Sequence, residues 1–197
     1  MTLIRRIIDN IAAKPKCHFW IFLGILILLT AFMMIAYSPL HPGHDFHFHL
    51  RRLQALIQSL SDGTFPYYID YTAIVGLFTN SIIAYQVMIA TMTILCGVFT
   101  YQTIDTIYKS KYAATIGAIL YTFSYYRLLD IYHRSAFGEA LSFTFVPIVI
   151  LGLYHIIKGD YKKWYILAVG FSLMIFTHVI STVLMGVTSF ILLCVYY

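Results

Sequence analysis

Apolar residues in this chain come in runs of about 13 to 22 positions, separated by short polar segments. A helix of a soluble core shows apolar residues only every third or fourth position, whereas runs of this length are the pattern of membrane spans. The runs predict spans at Phe19–Tyr37, Ser81–Tyr101, Ala113–Tyr126, Ala136–Ile157, Trp164–Phe176 and Val179–Tyr197. The expected fold is therefore all-α, a polytopic transmembrane bundle of about six spans forming a single domain. Two runs are short, 14 residues for the third and 13 for the fifth. At 1.5 Å per residue these reach only about 20 Å of a hydrocarbon layer roughly 30 Å thick. A recess at their far ends would have to be lined by protein or water. The final stretch can be read as a hairpin turning at Thr177 to Ser181, or as one long span from Trp164 to about Met185.

The segment from Ser38 to Asn80 has a different pattern. Pro42 and Gly43 punctuate it, and His44 or Asp45 can cap a helix that follows. Phe46, Leu50, Leu53, Ile57 and Leu60 form a narrow apolar stripe with Arg51, Gln54 and Gln58 opposite. This predicts an amphipathic helix lying in the membrane interface and ending at Asp62-Gly63. Asp45, His49 and Arg52 share a ridge beside the stripe.

Composition agrees with the pattern, at 60% hydrophobic and 11% charged against roughly a quarter charged in soluble domains. The net charge of +5 does not indicate a nucleic-acid partner, because the basic residues are scattered between the apolar runs. Their distribution is a topology signal. Nine Lys and Arg fall on one side of the predicted spans (Arg5, Arg6, Lys14, Lys16, Lys109, Lys111, Lys158, Lys162, Lys163) and four on the other (Arg51, Arg52, Arg127, Arg134). The positive-inside rule makes the first side cytoplasmic, with both termini inside a cytoplasmic (inner) membrane. The run after Lys16 is longer than a signal-peptide core and is read as a retained span. Cys17, Cys96 and Cys194 lie in or beside apolar runs, with no CxxC, so neither disulfide nor zinc-thiolate chemistry is indicated.

Ionisable groups gather on the expected outer side: Asp45, Asp62, Asp70, Asp130, Glu139, six histidines and four arginines. His41, His44, His47 and His49 sit within nine residues. Imidazole and carboxylate there, His44 and His49 above all, can ligate a divalent metal, although the spacing is no standard zinc motif. Arg127, Asp130 and Arg134 follow at three and four residues, which suits a local ion-pair ladder or a guanidinium pair for lipid phosphate. Glu139 is an acid/base group or the partner of an arginine. His178, at the hairpin tip, is a phosphate-side contact or a structural one.

Three stretches carry a resemblance: GHDFHFHLRRLQALIQSLSDGTFP, YRLLDIYHRSAFGEALSFTFVPIVILGLY and KKWYILAVGFSLMIFTHVISTVL. Together they resemble the N-terminal half of bacterial membrane proteins called 6-pyruvoyl-tetrahydropterin synthase-related, which in turn are similar to C-type membrane glycosyltransferases. The pterin label fits poorly, because that soluble enzyme's zinc fold cannot be built from apolar spans. The resemblance implies a polyprenyl-phosphate-linked sugar as donor, Asp45 as the acidic residue of the first outer loop that serves the acceptor, and Arg134 with Glu139 as an R-x-A-x-G-E motif. It also implies that the chain is an N-terminal portion of a longer architecture. The competing expectation is a non-catalytic membrane component that binds lipid phosphate or a partner subunit through the same arginines.

Overall fold

A computed structural model describes residues 15–37, 43–64 and 71–197, all helical or in turns, with no strand among them. In chain order the helices are α1 (Pro15–Ala36), α2 (Phe46–Ser61), α3 (Tyr71–Phe78), α4 (Ser81–Tyr108), α5 (Lys111–Thr122) and α6 (Tyr125–Leu129), followed by a π-helical turn at Asp130–Arg134. Then come α7 (Phe137–Ile157), a 3-10 turn at Tyr161–Lys163, α8 (Tyr165–Ile175) and α9 (Val179–Tyr196). Arg5, Arg6, Lys14, His41 and Asp70 lie outside the described residues.

Four helices are long and apolar enough to cross a membrane: α1 from Cys17, α4, α7 and α9. The chain is a multi-pass membrane protein. The expectation of six spans meets a difference at α5 and α8, whose 12 and 11 residues extend only about 18 and 16 Å. Each ends at a polar turn, Phe123-Ser124 and Thr177-His178, before it could cross a full hydrocarbon layer. The first span begins four residues earlier than expected, and α4 continues seven residues past Tyr101 to Tyr108. Asn80 starts α4 by accepting from the Ile83 N–H at 2.8 Å, and Lys109, at φ 52°, ends it.

Several hydroxyl-bearing residues inside the apolar helices satisfy their hydrogen bonds locally or across a helix contact. Thr30, Thr93 and Thr100 donate to carbonyls four residues back. Pro147 lacks an N–H, so the carbonyl of Phe143, four residues earlier, has no helical donor. Tyr121 from α5 donates its phenol to that carbonyl at 2.9 Å, and the Cys96 thiol from α4 approaches at 3.8 Å. Thr103 donates to the Pro147 carbonyl at 2.9 Å. A proline in a membrane-type helix thus becomes the joint that binds three helices.

These pairs, with Thr144 donating to Met92, run in step along α4 and α7, so those helices are parallel. Their first residues share an end with α2 and the π-helical turn; their last residues share the end that carries Lys109, Lys111, Lys158, Lys162 and Lys163. At that lysine end the Lys158 ammonium lies 5.6 Å from the Tyr196 ring centre. The chain therefore climbs along α8, turns at Phe176-Thr177-His178 and returns along α9, as a hairpin and not one long helix.

The core has three centres. Phe22 stacks on Tyr101 at 4.5 Å where α1, α4 and α5 meet. Val149, Leu153 and Met174 join α7 and α8, with α9 laid against them. The largest, at the arginine end, gathers Phe46, Leu53 and Leu56 of α2 with Tyr85, Ile89, Met92 and Phe137. Leu50, Ile57 and Leu60 pack half-buried against the same centre.

Candidate functional site

The first side chains of interest are set by how α2 begins and ends. Asp45 occupies its N-terminal cap position at φ −96°, makes no side-chain capping bond, and is exposed. Gly63, at φ +70°, closes the other end in a conformation that costs glycine least. Asp45, His49 and Arg52 then fall on one face, with His49 bonded through its N–H to the Asp45 carbonyl at 3.1 Å. The His49 ring stands edge-on to Phe137 at 5.2 Å. Burial pushes its pKa below the ordinary imidazole range, the Asp45 charge opposes that shift, and the Arg52 charge adds to it. The Arg52 guanidinium lies 5.4 Å from the Phe48 ring centre.

Beneath His49 and Arg52 is a recess of about 220 Å³ between α2, α4, α7 and the α8–α9 turn. Met88, Met92, Leu141 and Phe176 contribute to its apolar wall. One rim is polar and cationic, and the depth is apolar and conformationally adaptable because methionine fills irregular gaps.

Beside the recess is an ion cluster built on the π-helical turn. The Arg134 Nη1 donates to Asp130 Oδ1 at 2.7 Å and to the Tyr126 hydroxyl at 3.1 Å, and forms an ion pair with Glu139 Oε2 at 3.0 Å. Tyr126 in turn donates to Glu139 Oε1 at 2.7 Å. Asp130 is fully buried; burial pushes its carboxyl pKa up, the neighbouring Glu139 adds to this, and Arg134 opposes it. The hydrogen bond to Glu139, with burial second, raises the Tyr126 phenol.

Arg127 goes elsewhere. It is fully buried, donating from Nη1 to the Thr122 carbonyl at 2.9 Å and from Nη2 to Thr93 Oγ1 at 3.1 Å, while its Nε has no partner. The open guanidinium pair expected for phosphate is therefore not formed by Arg127 and Arg134. Seven residues apart, they would share a face of a continuous α-helix, but the widened turn between them breaks that register. The ladder reading holds for Arg134 and Asp130 alone.

His178 caps α9: its Nδ1 accepts from the Ser181 N–H at 3.3 Å and shares a 2.7 Å bond with the Ser181 hydroxyl. That is the structural role, performed close enough to Asp130 for the imidazole to act on its titration. His44 and His49 do not converge with a third ligand; His44 packs edge-on to His133 at 5.0 Å, and His49 faces Phe137. Among the described residues no three His, Cys, Asp or Glu come together as a metal cage.

Sequence reasoning missed Tyr126 as a member of the cluster, and Tyr85 and Phe137 as walls around His49. Tyr126 adjoins the ladder, but its bond to Glu139 crosses the π-helical turn, which no helical periodicity anticipates. No family model, curated protein or solved structure matches the chain. Its class is set by its own geometry: a multi-pass membrane protein, helical throughout its described residues, with an apolar recess, a cationic rim and a carboxylate-rich cluster at the end opposite the lysines from Lys109 onward.

Proposed function

We propose that this chain is a glycosyltransferase-like membrane protein that acts on a lipid-linked sugar at the outer face of the cytoplasmic membrane. The observation that carries this reading is the recess of about 220 Å³ under His49 and Arg52, one helical turn and two from the exposed carboxylate of Asp45. A lipid carrier needs an apolar wall; its phosphate needs a cation at the rim; an acceptor hydroxyl needs a base within reach. The helix α2 would lie in the interface, with Arg51 and Gln54 toward the headgroups and the Leu53 side toward the bundle.

In the reaction the acceptor oxygen attacks the anomeric carbon, the bond from that carbon to the phosphate oxygen breaks, and the lipid phosphate leaves with the electron pair. Asp45 takes the acceptor's proton, and Arg52 faces the departing charge. The reading fits the resemblance to C-type glycosyltransferases, in which an acidic residue of the first outer loop serves the acceptor.

General-base assistance is worth roughly 10²- to 10⁴-fold in rate. Asp45→Asn is therefore expected to lower sugar transfer from a polyprenyl-phosphate donor in proteoliposomes by that order, while the variant still inserts and binds the donor. Wild-type transfer by Asp45→Asn would remove the assignment.

A second reading is a non-catalytic binder of lipid phosphate. It is favoured by the pairing of both Asp130 and Glu139 with Arg134, which ties these carboxylates into one structural cluster. Donor binding with no transfer by the wild-type protein would select it.

A further inference from the structure

We infer that the ion cluster around Arg134 is a clamp that positions Asp45, so that Asp130 and Glu139 are positioning residues and not a second acid–base centre. The inference starts from the backbone. Where the π-helical turn ends, Ser135 adopts a left-handed conformation at φ 54°. The Ala136 N–H returns to the Asp130 carbonyl and the Phe137 N–H to the Ser135 carbonyl, both at 3.0 Å. The carbonyls of His133 and Arg134 are thereby left without helical donors, as the last carbonyls of any helix are.

Those two carbonyls take the loop that begins α2. His44 N–H donates to the His133 carbonyl and Asp45 N–H to the Arg134 carbonyl, each at 3.1 Å. The fit admits no side chain at Gly43, where a Cβ would stand 2.3 Å from Ser135 Oγ and 2.7 Å from the His133 carbonyl oxygen. Asp45, which has no side-chain cap bond of its own, is held by its backbone against this turn.

What holds the turn is Arg134. Its one nitrogen bridges Asp130, within the turn, and Glu139, in the first turn of α7. The guanidinium therefore ties together the two sides of the left-handed break at Ser135. Removing it releases the geometry that presents the His133 and Arg134 carbonyls. That Asp45 is the chemical group rests on the function proposed above; the clamp is a backbone arrangement and can be tested without activity.

The test is amide hydrogen–deuterium exchange on the full chain in nanodiscs. Losing backbone bonds worth about 1 kcal/mol each should speed exchange at His44 and Asp45 about fivefold in Arg134→Gln, with residues 53 to 60 and α4 unchanged. Gly43→Ala, which keeps all four members of the cluster, should release the same two amides from the other side. Wild-type exchange at both amides in Arg134→Gln would overturn the clamp, as would acceleration spread through α2 and α4, which means general loosening. These results are independent of the Asp45→Asn transfer assay: loss of the clamp leaves sugar transfer by Asp45 standing, and wild-type transfer by Asp45→Asn leaves the clamp standing.

Discussion

Gly152 and Gly170 mark the place where α7 and α8 touch backbone to backbone. A Cβ on Gly152 would lie 2.4 Å from the Leu167 backbone nitrogen, and one on Gly170 would lie 2.9 Å from the Val149 backbone nitrogen. Within a bilayer, water drives no helices together, so close approach through small residues supplies the packing energy. A methyl group here cannot be absorbed by a rotamer change, because the obstacle is main chain. Gly152→Ala is expected to cost about 1–3 kcal/mol in thermal or denaturant unfolding in micelles. Gly24→Ala in α1, where nothing lies within 4 Å, should be neutral or slightly stabilising. Equal stability of the two variants would show that the α7–α8 contact yields. Neither glycine announced itself in the sequence, because close approach belongs to the partner helix as much as to the residue.

At the scale of elements, α2 is the one whose register decides where the candidate chemistry sits. Leu53 and Leu56 are buried and Phe48 on another face is exposed, so the helix is docked and not loose. Leu53→Asp places a charge in an apolar contact and should undock α2, raising protease cleavage between residues 46 and 61; Phe48→Asp should leave digestion unchanged. An unaltered digest of Leu53→Asp would mean that the contact does not hold the helix. The extent of α2 was legible because its apolar stripe runs through all 16 residues and Asp62-Gly63 follows it. Helix α3 was not: its eight residues Tyr71–Phe78 are too short for a span and carry no cap signal, and they form a helix while packing on α2 and α4. The shortness of α5 and α8 was visible as short apolar runs. The structure adds the polar turns, Phe123-Ser124 and Thr177-His178, at which these two helices end.

For the whole molecule, the two ends differ in chemistry. The described lysines from Lys109 onward lie at one end, and Asp45, Asp62, Arg134 and Glu139 lie at the other. The positive-inside rule predicts that the lysine end faces the cytoplasm. In a variant lacking the native cysteines, an impermeant thiol reagent applied to intact cells should label Asp62→Cys and spare Ser110→Cys and Asp160→Cys. Labelling of either of the latter two would reverse the orientation.

The sequence by itself determined that the chain belongs in a membrane, where its long apolar runs lie, and which residues between those runs could carry charge. Those properties are local: apolar length and period are written in neighbouring residues. Only the tertiary structure decided that Arg127 is enclosed while Arg134 is shared by two carboxylates. It also decided that Phe143's freed carbonyl is met from two other helices, and that a recess forms between residues drawn from positions 49 to 177. The reason is physical: an ion cluster, a backbone-to-backbone crossing and a cavity are each defined by the geometry between segments, and the residues on either side have no periodic relation through which one could announce the other.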